Sequence, residues 1–169
     1  MSKDYTFNPG DFVVYPAHGV GQVTERQTTT VAGQDLDLIS VLFTKDKMTM
    51  KIPSNQALDK GLRQVATPVM METVEKVLRK KPKAKRVQWS KRSAEYTTKI
   101  GSGDPVALAE VIRELYKDPA IATQTYSERQ LYEKAMGRLA PEYAVIHHIT
   151  EAEAMAKIEE CLMGPVSAE

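Results

Sequence analysis

The arrangement of apolar and polar positions changes once along this chain. Up to about residue 66, apolar residues come in short β-branched or alternating runs; from Thr67 onward they recur three and four apart. Asp11–Pro16 is a run of β-formers entered through an Asn8-Pro9-Gly10-Asp11 turn. Val20–Val31 is rich in valine and threonine, Ala32-Gly33-Gln34-Asp35 reads as a hairpin turn, and Leu36–Thr44 is again β-branched and apolar. After a turn at Lys45-Asp46, the stretch Lys47–Ile52 alternates with period two. Met48, Met50 and Ile52 fall on one face, and Lys47, Thr49 and Lys51 on the other. Pro53 ends it. Four short strands, with a fifth near Gly61–Val65, predict a small, strongly bent barrel of the SH3 or Tudor kind.

The second pattern predicts helices. Thr67 can cap the first, with Pro68 at its opening position and Met70, Val74, Val77 and Leu78 as its apolar stripe. Lys80–Arg86 breaks it. A second helix covers Trp89–Lys99 and stops at Gly101-Ser102-Gly103. Asp104 caps a third, where Leu108, Ile112, Leu115 and Tyr116 oppose Glu110, Arg113, Glu114 and Lys117. Ser127 with Gln130 forms a capping box for a fourth, which Pro141 is expected to kink or break. Thr150 with Glu153 opens a last helix running to about Met163. The expected fold class is α+β. A small SH3/Tudor-like β-barrel amino domain, residues 1–66, precedes an all-helical carboxy-terminal domain of about five helices, residues 67–169.

Charge follows the same division. The chain carries a net +1, but residues 1–75 hold seven basic and nine acidic groups, and residues 104–169 hold six and twelve. Residues 76–99 hold ten basic groups and a single acid, Glu95. Such a centre is either the footprint of a polyanion or a solvated linker, and composition does not choose between them. The opening residues have acids, a proline and no apolar run, so no signal peptide is expected. No stretch approaches the roughly eighteen apolar residues of a membrane span. Cys161 is the only cysteine, which excludes an internal disulfide and a cysteine-built zinc site. A cytoplasmic protein is the expectation.

Candidate catalytic groups are few. His18 sits in a glycine-rich segment and reads as a turn residue. His147 and His148 are adjacent and cannot share a helix face as two metal ligands would. Gly19-Val20-Gly21 lacks the third glycine and the strand–turn–helix setting of a nucleotide loop. No catalytic residue, metal ligand or cofactor is assigned, and the chain is not expected to be an enzyme.

Several motifs, in order along nearly the whole chain, resemble one family. Gly10-Asp11-Phe12-Val13-Val14-Tyr15-Pro16-Ala17-His18-Gly19-Val20-Gly21 is similar to the opening signature of the CarD/CdnL proteins, bacterial regulators that bind RNA polymerase. Met50-Lys51-Ile52-Pro53, Trp89-Ser90-Lys91-Arg92, Ile100-Gly101-Ser102-Gly103-Asp104, Ala109–Tyr116 and Ser127-Glu128-Arg129 continue the resemblance. It implies a Tudor-like amino domain that docks on the polymerase β subunit. It also implies a helical domain at the upstream edge of the transcription bubble, where the tryptophan wedges beside melted DNA. Open complexes are then stabilised, typically including those at ribosomal RNA promoters. The transcription-repair coupling helicase shares the amino domain, but this chain has no phosphate-binding Gly-x-x-x-x-Gly-Lys-Ser/Thr loop.

The resemblance places Thr29, Thr30, Val31, Met50, Lys51, Ile52 and Pro53 at the polymerase, with Lys51 standing where arginine is frequent. It places Trp89, Lys91, Arg92, Lys85 and Arg86 at promoter DNA near the upstream bubble junction. Ser93 and Ala94 stand where the family has an aromatic and a basic residue, which leaves Lys91 and Arg92 as the foremost phosphate contacts. Alternation also allows Met50 and Ile52 to be barrel core, and helical spacing allows Trp89, with Ser93, Tyr96 and Ile100, to face a core. Such a protein is expected to work as a monomer and to reach the nucleoid through polymerase. The alternative is a polymerase-independent, sequence-nonspecific nucleic-acid-binding protein.

Overall fold

Residues 12–15, Phe-Val-Val-Tyr, open the sheet of the computed structural model, which describes residues 7–81, 87–118 and 122–163. The strands are β1 (Phe12–Tyr15), β2 (Gly19–Val31), β3 (Gln34–Phe43), β4 (Met48–Pro53) and β5 (Arg63–Gln64), with a one-turn helix α1 (Ser54–Ala57) before the last. All pairings are antiparallel and the order is β4-β3-β2-β1-β5, so the last strand returns to lie beside the first. This is the bent SH3/Tudor-like meander expected. The bend is built into β2, where Val23 pairs with Val41 but Glu25 pairs with Ser40. Thr24 is therefore an extra residue, and a bulge of this kind sharpens the local twist.

The chain divides into two compact units, Met1–Val65 and Ala66–Glu169. The first is built around Phe7, Val13, Val23, Ile39, Val41, Phe43, Ile52 and Leu62. Gly21 explains one feature of the opening motif. A Cβ there would sit 2.7 Å from Val41 and 2.8 Å from Phe43, so only glycine lets those side chains close over β2. His18 joins the two turns at one end. Its Nδ1 lies 3.0 Å from Asp46 Oδ2, and its ring stacks on Tyr15 with centroids 5.7 Å apart. The β2–β3 hairpin turns on two residues, Ala32 and Gly33, both at positive φ, rather than the four expected, so β3 starts two residues early.

The second unit contains α2 (Pro68–Arg79), α3 (Trp89–Ser102), α4 (Pro105–Leu115), α5 (Tyr126–His147) and α6 (Glu151–Met163). Thr67 caps α2 and Asp104 caps α4, as their sequences predict. Four expectations need correction. The buried stripe of α2 is Met71, Val74 and Leu78, whereas Met70 is 42% exposed; the frame starts one residue later than the spacing suggested. Helix α3 continues through Gly101 to Ser102 and ends where Gly103 turns left-handed at φ 71°.

The capping box of α5 is Thr125 with Glu128, not Ser127 with Gln130. Thr125 Oγ1 accepts from the Glu128 amide at 3.2 Å, while Glu128 Oε1 accepts from the Thr125 amide at 2.9 Å. Glu128 also takes Lys117 Nζ at 2.8 Å, a third partner that Gln130 could not hold as an ion pair. Nor does Pro141 break α5, which runs unbroken on both sides of it. Proline removes one ladder bond, but Leu139, Ala140, Tyr143 and Ala144 bury that stretch against neighbouring helices, and this packing outweighs the local loss.

Candidate functional site

Trp89 is the first residue of α3 and the only tryptophan of the chain. It is half-buried, packed on the helical core from outside it, between exposed Gln88 and Ser90. The side chain is therefore anchored but not sealed. Tyr96, two turns on, is fully buried, and the two rings lie 6.2 Å apart at 57°. Ser93 is half-buried and Ile100 buried, so the helical face read from spacing exists with Trp89 at its outer end.

Lys91 is exposed in the same turn, and Arg92 is half-buried. The Arg92 guanidinium lies 5.6 Å from the centroid of Trp89 and 5.6 Å from that of Tyr96. Its Nε and Nη2 donate to the Tyr96 hydroxyl at 3.3 and 2.9 Å. Gln88 makes no side-chain capping bond, and the first turn contains no acid. The amides at that helix end carry positive partial charge, so two cations beside them are locally unfavourable, by about 0.3–1 kcal/mol each when exposed. An anion placed there removes the penalty. Farther along, Lys99 is held between Glu95 (3.7 Å) and Glu110 (3.5 Å) and tethers α3 to α4. Lys85 and Arg86 lie outside the described residues.

In the first unit the expected polymerase-facing residues lie in one three-stranded region but on two faces and two edges. Strand β3 separates Thr29–Val31 on β2 from Met50–Pro53 on β4. The pairs Thr29↔Leu36, Leu38↔Pro53 and Ser40↔Lys51 put Thr29, Lys51 and Pro53 on the outer face, and the alternation adds Val31. Thr30 has the opposite parity and donates to Asp35 at 2.8 Å. Ile52 is 1% exposed and Met50 half-buried against the core, so their side chains belong to the barrel. Sequence reasoning missed Leu36 and Leu38, which stand half-buried between the two halves of the outer face. The signal was present: Leu36–Phe43 is apolar at both parities, the mark of a strand covered on both sides. Strand β4 leaves its outer edge without a partner strand among the described residues.

Glu75 accepts from the Tyr143 hydroxyl at 3.0 Å at the wall of a cavity of about 360 Å3, where Cys161 also lies. Burial pushes the Cys161 thiol above its ordinary pKa, which disfavours the thiolate a nucleophile needs. Among the described residues no three His, Cys, Asp or Glu side chains come together as a metal site. None of their helices is long and apolar enough to cross a membrane.

The two units match two family models in turn. Residues 7–66 match the CarD-like/TRCF RID domain, and residues 73–159 match the CarD C-terminal domain. The chain is 25% identical over 147 residues to YdeB of Bacillus subtilis (strain 168), named as a candidate transcription factor; the match covers 87% of this chain and 96% of that one. Among solved structures it is similar to the 72-residue N-terminal domain of Myxococcus xanthus CarD, at 32% identity and a TM-score of 0.31. That alignment covers 37% of this chain and 84% of the other. With the matched models covering the β unit and most of the helical one, the chain belongs to the CarD/CdnL family of bacterial transcription regulators.

Proposed function

We propose that the β unit docks on the RNA polymerase β subunit and that the helical unit stabilises the promoter open complex at the upstream edge of the bubble. The observation that carries this reading is Trp89: a large, half-buried aromatic beside Lys91, at a helix start with no acid and no side-chain cap. Wedging a side chain into stacked bases costs a few kcal/mol, which protein contacts must offset. Strands already parted by polymerase lower that cost, so a weak contact is enough to bias the equilibrium. Lys91 and Arg92 lie next to the wedge, and Lys85 and Arg86 precede it in sequence. Phosphate contacts carry little sequence information, so specificity comes from where polymerase holds the domain. Free DNA is then bound poorly, the chain acts as a monomer in the cytoplasm, and ribosomal RNA promoters are among its targets.

Docking uses the outer face of β2, β3 and β4. Thr29, Val31, Lys51 and Pro53 present side chains there around Leu36 and Leu38; Thr30, Met50 and Ile52 contribute backbone. The free edge of β4 offers main-chain hydrogen bonds to a partner strand. A pull-down with the isolated β-subunit lobe tests the docking. Wild type is retained and Lys51→Glu is lost. Equal retention of both chains, or no retention of wild type, contradicts it.

A further inference from the structure

We infer that Arg92 and Tyr96 are a positioning pair for the Trp89 indole, and that Arg92 acts on DNA through Trp89 rather than by holding a phosphate. The inference rests on Trp89 being the wedge. Two N–H groups of Arg92 converge on one acceptor, the Tyr96 hydroxyl, and Tyr96 is fully buried and so fixed in place. The same planar cation lies against both aromatic rings at 5.6 Å. Arg92 thus spans from an immobile tyrosine to an indole at the first, least supported turn of α3.

That support matters because helix ends fray, and Gln88 gives this one no side-chain capping bond. An indole free to swing with the first turn must be immobilised each time it meets a base step, and a braced one is already in place. Lys91 differs. It is exposed and, among the described residues, no ring lies against it, which leaves its ammonium available to a phosphate. Lysine cannot replace arginine at 92, because it keeps the charge but loses the planar pair of donors.

The single tryptophan makes the brace directly observable. Arg92→Lys and Tyr96→Phe are compared with wild type in full-length protein by acrylamide quenching and anisotropy of the indole. The same chains are compared for open-complex lifetime across a salt series, and thermal melts report whether Tyr96→Phe stays folded. Loss of a cation–ring contact lowers the braced population about threefold, seen as stronger quenching and lower anisotropy. Lifetime shortens in proportion while the salt slope stays that of wild type; Lys91→Ala lowers that slope by about one. Wild-type quenching and lifetime in Arg92→Lys overturn the brace, since charge alone would then suffice. So does a fall in slope in Arg92→Lys matching that of Lys91→Ala. If Trp89→Ala leaves lifetime unchanged, the wedge fails and the link to DNA with it, while quenching still decides whether Arg92 holds the indole.

Discussion

Nη1 of Arg113 donates to the carbonyl oxygen of Leu162 at 2.9 Å and, from the same atom, to that of Leu78 at 2.8 Å. These oxygens belong to the last turns of α6 and α2, where helix carbonyls lack intrahelical partners. A buried cation on α4 therefore closes two helix ends at once, and both carry the negative end of a helix dipole. Burial lowers the Arg113 pKa from its ordinary value, but arginine starts so high that it stays charged. Arg113→Leu keeps the apolar stem and leaves two buried carbonyls without the donor. The expected loss is about 2–4 kcal/mol of unfolding free energy, measured by urea titration. A loss below half a kcal/mol contradicts the double closure.

Glu128 supplies a pH-dependent part of stability. Burial pushes its pKa up, but the Lys117 ammonium and the Thr125 amide and hydroxyl outweigh this, so it lies below the usual carboxylate range. A group with a lowered native pKa stabilises the fold above its unfolded pKa and loses that contribution as pH falls through the native value. Lys117→Met is expected to cost about 1 kcal/mol or less near neutrality, since Lys117 is itself partly exposed. The gap to wild type should close as pH drops below the carboxylate range. A gap that stays constant into acid contradicts the linkage.

Much of this architecture is legible in the sequence, and the misses share a cause. Strands, caps at Thr67, Asp104 and Thr150, and the change of period are local properties, and local patterns report them. Arg113 reads as solvent-facing by helical spacing because nothing nearby in sequence shows that two other helices end against it. Thr125–Glu128 and Ser127–Gln130 are equally plausible boxes until Lys117, just past the end of α4, selects one. At the site, the sequence led to Trp89, Lys91 and Arg92. It did not separate the exposed lysine from the arginine hydrogen-bonded to Tyr96, although Arg92 and Tyr96 stand four apart and that spacing is the signal. The residues expected at the polymerase were read as a list; cross-strand register divides that list between the barrel interior and the outer surface.

Gly21→Ala tests the packing behind the opening motif. Its added carbon would meet Val41 and Phe43 well inside contact distance, in a core with no slack. The expected cost is about 1–3 kcal/mol by thermal or urea unfolding. The helical unit has its own core, so the loss should fall on the β unit and weaken retention by the polymerase lobe. A variant as stable as wild type contradicts the close approach.

The most direct measurement is the lifetime of promoter open complexes formed with Trp89→Ala, at protein concentrations that saturate polymerase. Polymerase binding should match wild type, because Trp89 lies in the helical unit and not in the β unit proposed to dock. Open complexes should dissociate at least about fivefold faster, the result of losing a contact worth about 1–3 kcal/mol with an exposed base. An unchanged lifetime with binding intact contradicts the account.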